Sequence, residues 1–220
     1  MGQRNPMPPR SKKASPKQPS LKQSRDLAKL LGEIKACCIC ADALDHEPRP
    51  VVRLKASVKL CIVGQTPGLR VHESGIPFND LSGERLRDWM GVTREEFYDE
   101  SKIGIVPMGF CFPGYTDKGA DKPPRPECAK AWRAKFFDTV PKIPFYLAVG
   151  GYAQVYHLKG RAKRTLTETV QTWRDYTPRV IPLPHPSWRN NGWIKKNPWF
   201  ETELLPYLKR RVRRALRSAD

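Results

Sequence analysis

Four short runs of apolar and β-branched residues interrupt an otherwise polar chain: Val58 to Val63, Ile103 to Met108, Phe145 to Val149 and Val180 to Leu183. Each reads as a buried core strand. Around them apolar positions recur at helical spacing. Leu27, Leu30, Leu31 and Ile34 come first, followed by patterns at about Gly83 to Met90, Arg94 to Tyr98, Pro126 to Val140, Tyr152 to Leu158 and Leu166 to Tyr176. Strand alternating with helix predicts a parallel sheet with helices on its faces. The expected fold is α/β, a three-layer α/β/α sandwich around a central four-stranded parallel sheet. A last helical pattern, Phe200 to Arg217, sets Leu204, Leu205, Leu208, Val212 and Leu216 against Lys209, Arg210, Arg211, Arg213 and Arg214, giving one face that packs and one that is basic. Gly2 to Gln23 is rich in Pro, Ser, Lys and Gln and lacks the apolar content to offset its ordering entropy. Residues 1–23 are therefore expected to be a disordered basic tail, with residues 24–220 forming a single domain.

Length and charge narrow the function classes. A chain of 220 residues suffices for one well-packed core and is short for two. No apolar run approaches the roughly 20 residues that cross a bilayer, and the first residues carry no apolar signal segment. A soluble cytoplasmic protein, associated with the nucleoid and without a membrane partner, is expected. Net charge is +18, from 40 Lys and Arg against 22 Asp and Glu. The first 24 residues hold six of those cations (Arg4, Arg10, Lys12, Lys13, Lys17, Lys22) and no acid, which leaves +12 on the remainder. A basic body attracts polyanions through phosphate neutralisation and counterion release, so nucleic acid is the expected partner. Charge alone fits a merely solvated basic surface equally well, so the motifs must decide.

Two segments directly follow predicted strands: Gly64-Gln65-Thr66-Pro67-Gly68, and His185-Pro186-Ser187-Trp188-Arg189-Asn190-Asn191. On parallel neighbouring strands both would emerge at the carboxyl rim, where open α/β sheets bind ligands. Glycines permit a tight turn and close backbone approach, and Pro67 stiffens it. The turn continues through Gly75-Ile76-Pro77-Phe78-Asn79-Asp80 to Ser82-Gly83 at the start of a helix. This combination resembles the uracil-DNA glycosylase superfamily, which pairs a Gly/Pro turn and a stacking aromatic after its first strand with a His-Pro-Ser loop after its last core strand. The resemblance covers about Ser24 to Arg217. It implies a monofunctional glycosylase that hydrolyses the N-glycosidic bond of uracil in DNA and so initiates base excision repair.

The resemblance also implies roles. Gly64, Gln65, Thr66, Pro67 and Gly68 would wall the base pocket, Phe78 would stack on the extruded base, and Asn79 and Met108 would line its edge. His185 would donate a hydrogen bond to the O2 on which charge grows as the bond breaks. Ser187, Trp188, Arg189, Asn190 and Asn191 would enter the minor groove, with Trp188 or Arg189 filling the space left by the base. A monomer is expected.

Six cysteines form a second constellation. Cys37 and Cys40 have CxxC spacing, whereas Cys111 and Cys128 flank a Pro-, Gly- and Lys-rich loop. Four thiolates could close one metal site. Zinc prefers two short knuckles, and iron-sulfur clusters accept more varied spacing. A disulfide is disfavoured in a reducing compartment. The arrangement resembles the iron-sulfur branch of the same superfamily and implies a structural 4Fe-4S cluster on Cys37, Cys40, Cys111 and Cys128, with zinc as the alternative. Cys38 would break the spacing, and Cys61, inside a strand, reads as a small buried hydrophobe.

Two positions depart from the family pattern. Where several members carry an acid or amide to position water, this chain has Gln65 and Thr66. The candidate carboxylates are Asp80 and Glu73, with His72 behind them; Asp80 follows the stacking loop and also suits a helix N-cap. Iron-sulfur members place an asparagine shortly before the third cysteine, but Val106-Pro107-Met108-Gly109-Phe110 offers no side-chain amide. Backbone groups or Asn79 must then read the base, in a broader pocket that accepts hypoxanthine or xanthine. The competing readings are a catalytically inactive iron-sulfur nucleic-acid binder of the same fold, a variant that bonds covalently to the abasic sugar, and a nucleotide enzyme. The last lacks both G-x-G-x-x-G and G-x-x-x-x-G-K-[ST].

Overall fold

Each of the four apolar runs becomes a strand of one sheet. A computed structural model describes residues 19–140 and 142–217. In chain order these form α1 (Leu21–Lys35), β1 (Leu60–Val63), α2 (Leu69–Ser74), α3 (Leu81–Met90), α4 (Arg94–Tyr98), β2 (Ile103–Ile105), α5 (Pro126–Thr139), β3 (Tyr146–Val149), α6 (Gly151–Leu158), α7 (Leu166–Gln171), β4 (Val180–Leu183), α8 (Asn191–Lys196) and α9 (Leu205–Arg217). The strand order is β2-β1-β3-β4, with all three pairings parallel. Burial on both faces explains why the strands read as continuous apolar runs.

Side chains alternate between two cores, as the pleat requires. Leu60 and Ile62, Ile103 and Ile105, Leu147 and Val149, and Ile181 and Leu183 pack with α3, α4, α7 and α9 through residues such as Leu86, Phe97, Val170 and Leu208. Cys61, Val63, Ala148 and Val180 pack with α1, α5 and α6 through Leu27, Ile34, Phe136 and Leu158. The three expected layers are present. Cys61 is fully buried in the second core, as expected of a small hydrophobe, and burial pushes its thiol up to about 12.

Local chemistry explains most boundary differences. Helix α1 starts at Leu21, ahead of the hydrophobic spacing, because Ser20 and Gln23 close a capping box. Leu21 to Gln23, assigned to the tail from sequence, are thus helical, Ser20 caps them, and residues 1–18 of that expected tail lie outside the described residues. The pattern from Leu166 to Tyr176 divides into α7 and a 3-10 turn at Trp173–Tyr176. At the break the Thr172 hydroxyl donates back to the Glu168 carbonyl (2.9 Å), competing with the regular ladder. A π turn at Phe200–Leu204 precedes α9, which buries Leu205, Leu208, Val212 and Leu216. Its polar face is partly paired within the fold: Lys209 with Asp88 (3.6 Å) and Arg213 with Glu96 (2.6 Å). Helices α2 and α8, of six residues each, bury one residue and none respectively, so no apolar spacing marks them in the sequence. No helix of the described residues is long and apolar enough to cross a membrane.

Candidate functional site

The Gly/Pro turn leaves β1 and the His loop leaves β4, but the two strands are not neighbours, because β3 lies between them. The segments nevertheless share the carboxyl rim. Strand β3 ends at Val149 and turns at Gly150, whose φ of +82° suits glycine. The Gly150 N–H donates to the Leu183 carbonyl (3.0 Å), and the buried Gln154 amide donates to the same carbonyl (2.9 Å), holding the end of β4 in place.

Between the segments lies a cavity of about 400 Å³. Gly64, Gln65, Thr66, Pro67 and Gly68 wall one side, Phe78 and Asp80 another, and His185 stands among its lining residues. The turn is braced from below. Gly64 and Gln65 carbonyls accept from the Met108 and Gly109 N–H groups (2.8 and 3.0 Å), so those two amides are already committed. Gln65 Nε2 donates to the Lys122 carbonyl (3.3 Å), tying the turn to the loop between Cys111 and Cys128.

Phe78 is held in an unusual backbone conformation. Its φ is +54°, a left-handed value that costs a bulky residue on the order of 1–3 kcal/mol. Its carbonyl accepts from the Tyr98 hydroxyl (3.1 Å), and its ring packs edge-on against Phe97. Gly83 makes this possible, since a Cβ there would lie 1.8 Å from the Phe78 carbonyl oxygen. The aromatic is therefore aimed into the cavity by the amino-terminal turn of α3.

Asp80 is the N-cap of α3. Its Oδ1 accepts from the Gly83 N–H (2.9 Å) and the Ser82 hydroxyl (2.6 Å) while the residue also lines the cavity. His185 is open to the cavity yet enclosed by dense protein, and that burial lowers its pKa below the ordinary histidine value against the opposing pull of Asp80 and Asp121. A ring held neutral at neutral pH keeps one N–H to donate. Asn190 Nδ2 donates to the His185 carbonyl (2.7 Å), and Arg85 reaches the Ser187 carbonyl (3.0 Å), so the loop is anchored to itself and to α3.

Other anticipated residues are placed differently. The Asn79 Oδ1 accepts from Arg94 (3.2 Å), and the residue is not among those lining the cavity, because the left-handed turn at Phe78 sends the next side chain outward. Met108 is 8% exposed and packs in the core with Val63 and Phe110, leaving its neighbour Pro107 on the cavity wall. Glu73 lies on α2 outside the lining, and its carbonyl, with that of His72, accepts from Arg49. His72 instead packs against His46 and Phe112. Ser187 caps a 3-10 turn at Trp188–Asn190, and Asn191 opens α8. None of the five residues from Ser187 to Asn191 lines the cavity; Trp188, 69% exposed, projects from the protein with the Arg189 guanidinium 5.9 Å from its ring centre. Among the lining residues not anticipated are Arg70 on α2, and Tyr115 and Asp121 in the loop between Cys111 and Cys128, where no regular pattern flags a side chain.

A second, smaller cavity is lined by Cys37, Cys40, Cys111 and Cys128 together, with Trp132 and Arg125 beside them. Each sulfur meets an N–H donor. Trp132 Nε1 donates to Cys37 (3.2 Å) and the Phe110 amide to Cys128 (3.4 Å), while the amides of Cys128 and Arg49 serve Cys40 and Cys111. As free thiols Cys40, Cys111 and Cys128 are pushed up, Cys111 to about 12 and Cys128 to about 11, mainly by burial and further by neighbouring cysteines. Four crowded thiols with N–H donors suit a cationic centre that keeps them deprotonated. Among the described residues, no group of three or more His, Cys, Asp or Glu side chains converges as it would on a single metal ion. Cys38 is exposed and outside the cavity lining.

Compared with known protein families, residues 52–209 match the family model described as the uracil DNA glycosylase superfamily, from just before β1 into α9.

Proposed function

The chain belongs to the uracil DNA glycosylase superfamily, and we propose that it is a monofunctional DNA glycosylase that hydrolyses the N-glycosidic bond of uracil and other deaminated bases. The observation that carries this reading is the facing of His185 and Phe78 across one open cavity at the sheet's carboxyl rim. A base turned out of the helix would stack on Phe78 and rest against the Gly64 to Gly68 turn. As the bond to C1′ breaks, the electron pair leaves on the base, and the His185 N–H stabilises that charge more than it stabilises the intact nucleotide. Trp188 is the wedge for the vacated stack, and Arg189 lies beside it for a phosphate.

Breadth of specificity follows from what the pocket lacks. Distinguishing uracil from cytosine by side chain calls for a free amide at the base edge, but Asn79 is engaged by Arg94, the Gln65 Nε2 donates to the Lys122 carbonyl, and the Met108 and Gly109 amides are bonded to the Gly/Pro turn. With few groups to reject other edges, hypoxanthine and xanthine fall within the proposed substrates. Such a role places the protein inside the cell, at DNA.

Cys37, Cys40, Cys111 and Cys128 would hold a 4Fe-4S cluster, which spaces its thiolates further apart than a zinc ion does. Its contribution there would be a covalent brace rather than redox chemistry. The four cysteines would tie α1, the end of β2 and α5 together beside the pocket.

The test is excision from duplexes carrying uracil, hypoxanthine or xanthine, read as strand breaks after alkaline treatment of the abasic sites. His185→Ala should slow excision by about 10²–10³-fold, the usual loss of one donor to a developing oxyanion. No breaks on any substrate, with DNA binding intact, would instead identify an inactive binding protein. Activity on uracil alone would remove the broad specificity.

A further inference from the structure

The cavity contains a carboxylate that the motifs do not announce. Asp121 comes from the loop between Cys111 and Cys128, about as far from the rim motifs in sequence as any pocket residue, yet it lines the same cavity as His185. A hairpin places it there. Asp121 pairs with Tyr115 in an antiparallel bridge, Lys122 N–H donates to the Gly114 carbonyl (2.9 Å) and Thr116 N–H to the Ala120 carbonyl (2.8 Å). Gln65 clamps the next residue through its bond to the Lys122 carbonyl, and Lys122 Nζ pairs with Asp45 (3.2 Å). The hairpin is thus fixed both to the Gly/Pro turn and to the segment carrying Cys40.

We propose that Asp121 is the general base that takes the proton from the attacking water, filling the position that Gln65 and Thr66 leave without an acid. The inference rests on the hydrolytic reading given above. The other acids are less suited. Asp80 spends Oδ1 on the α3 cap, and Glu73 lies outside the cavity lining. Asp121 faces His185 and Arg189 from the His loop, and within its own hairpin Lys122 is drawn off by Asp45. Asp121 stays open to solvent, and the partial burial of its carboxylate raises its pKa above the ordinary aspartate value, with His185 and Arg189 pulling the other way. A base closer to neutrality accepts a proton more effectively.

The step balances. The water oxygen bonds to C1′ as the C1′–N bond breaks, the electron pair departs on the base, and the water proton passes to the Asp121 carboxylate. That proton then returns to the released base anion by way of solvent, restoring the carboxylate.

Single-turnover excision by the full-length protein tests it, comparing Asp121→Asn with Asp80→Asn, because asparagine caps a helix as well as aspartate does. Binding to a duplex carrying a non-hydrolysable 2′-fluorinated deoxyuridine and thermal melting are measured alongside. Asp121→Asn should cut the rate at saturating DNA by about 10²-fold or more with affinity and melting unchanged, and should remove the acidic limb of the pH–rate profile. Asp121→Glu should recover part of the rate. A rate within about threefold of wild type, a loss confined to affinity, or a larger loss in Asp80→Asn would overturn the assignment. An inactive wild type would overturn this role together with the hydrolytic reading, whereas an active wild type with an unimpaired Asp121→Asn overturns only the former.

Discussion

The two cavities at the carboxyl rim share one stretch of chain, residues 107–128, and are built in opposite ways. The cysteine cavity is small, and each of its four sulfurs already has an N–H donor. The larger cavity is walled by backbone turns and a few side chains, opens to solvent and holds a His and two Asp side chains close enough to influence one another. The first arrangement suits a permanent occupant and the second suits a transient one. Stability and turnover should therefore separate by mutation, even though the stretch that carries Cys111 and Cys128 also carries Asp121.

The sharpest break in this contrast would come from the cysteines. Cys128→Ser should strip iron and visible absorption from the purified protein and lower its unfolding free energy by several kcal/mol, the scale of losing a structural metal centre. Stoichiometric zinc, or a variant as stable as wild type, would mean that the cavity has no such occupant. His185→Ala, by contrast, should leave the melting temperature nearly unchanged while abolishing most excision.

Gly83→Ala probes the seam between stability and site. The added methyl would meet the Phe78 carbonyl at 1.8 Å, so denaturant titration should show a loss of about 1–3 kcal/mol, and the displaced ring should weaken binding of lesion DNA. An unperturbed variant would show that the Phe78 turn is not what aims the ring.

The smallest expected effect is on His185 itself. Its protonated form is disfavoured in the fold, so an NMR titration should place its midpoint below 6.5, the ordinary histidine value. The sign for stability follows. Below 6.5 the unfolded chain binds the proton more readily, so stability falls as pH drops from there through the folded midpoint. A midpoint at or above 6.5 would mean that Asp80 and Asp121 outweigh burial and that the ring is charged when it meets DNA.

How far the site was legible depended on the residue. Phe78 and His185 follow strands whose apolar runs mark the rim, and both line the cavity. Asn79, beside Phe78 in the stacking loop, and Met108, in the stretch before Cys111, face elsewhere. One is turned by a positive φ at its neighbour and captured by Arg94, and the other is drawn into the core below β1. Asp121 gave no signal, because a charged residue in a Pro- and Gly-rich loop looks like any solvated turn until the hairpin is folded against Gln65.

Short-range patterns thus determined the four strands, all the longer helices and the rim position of His185, while the family resemblance picked out Phe78 and the four candidate cysteine ligands. The strands and helices depend on burial and local backbone preference, which neighbouring residues encode. The tertiary structure alone decided that β3 stands between the two motif-bearing strands, that the four cysteines face one cavity and that a hairpin lays Asp121 beside His185. Those outcomes come from contacts between segments far apart in the chain, such as Gln65 with Lys122, 57 positions on, and no periodicity in either segment carries the direction of the other's side chains.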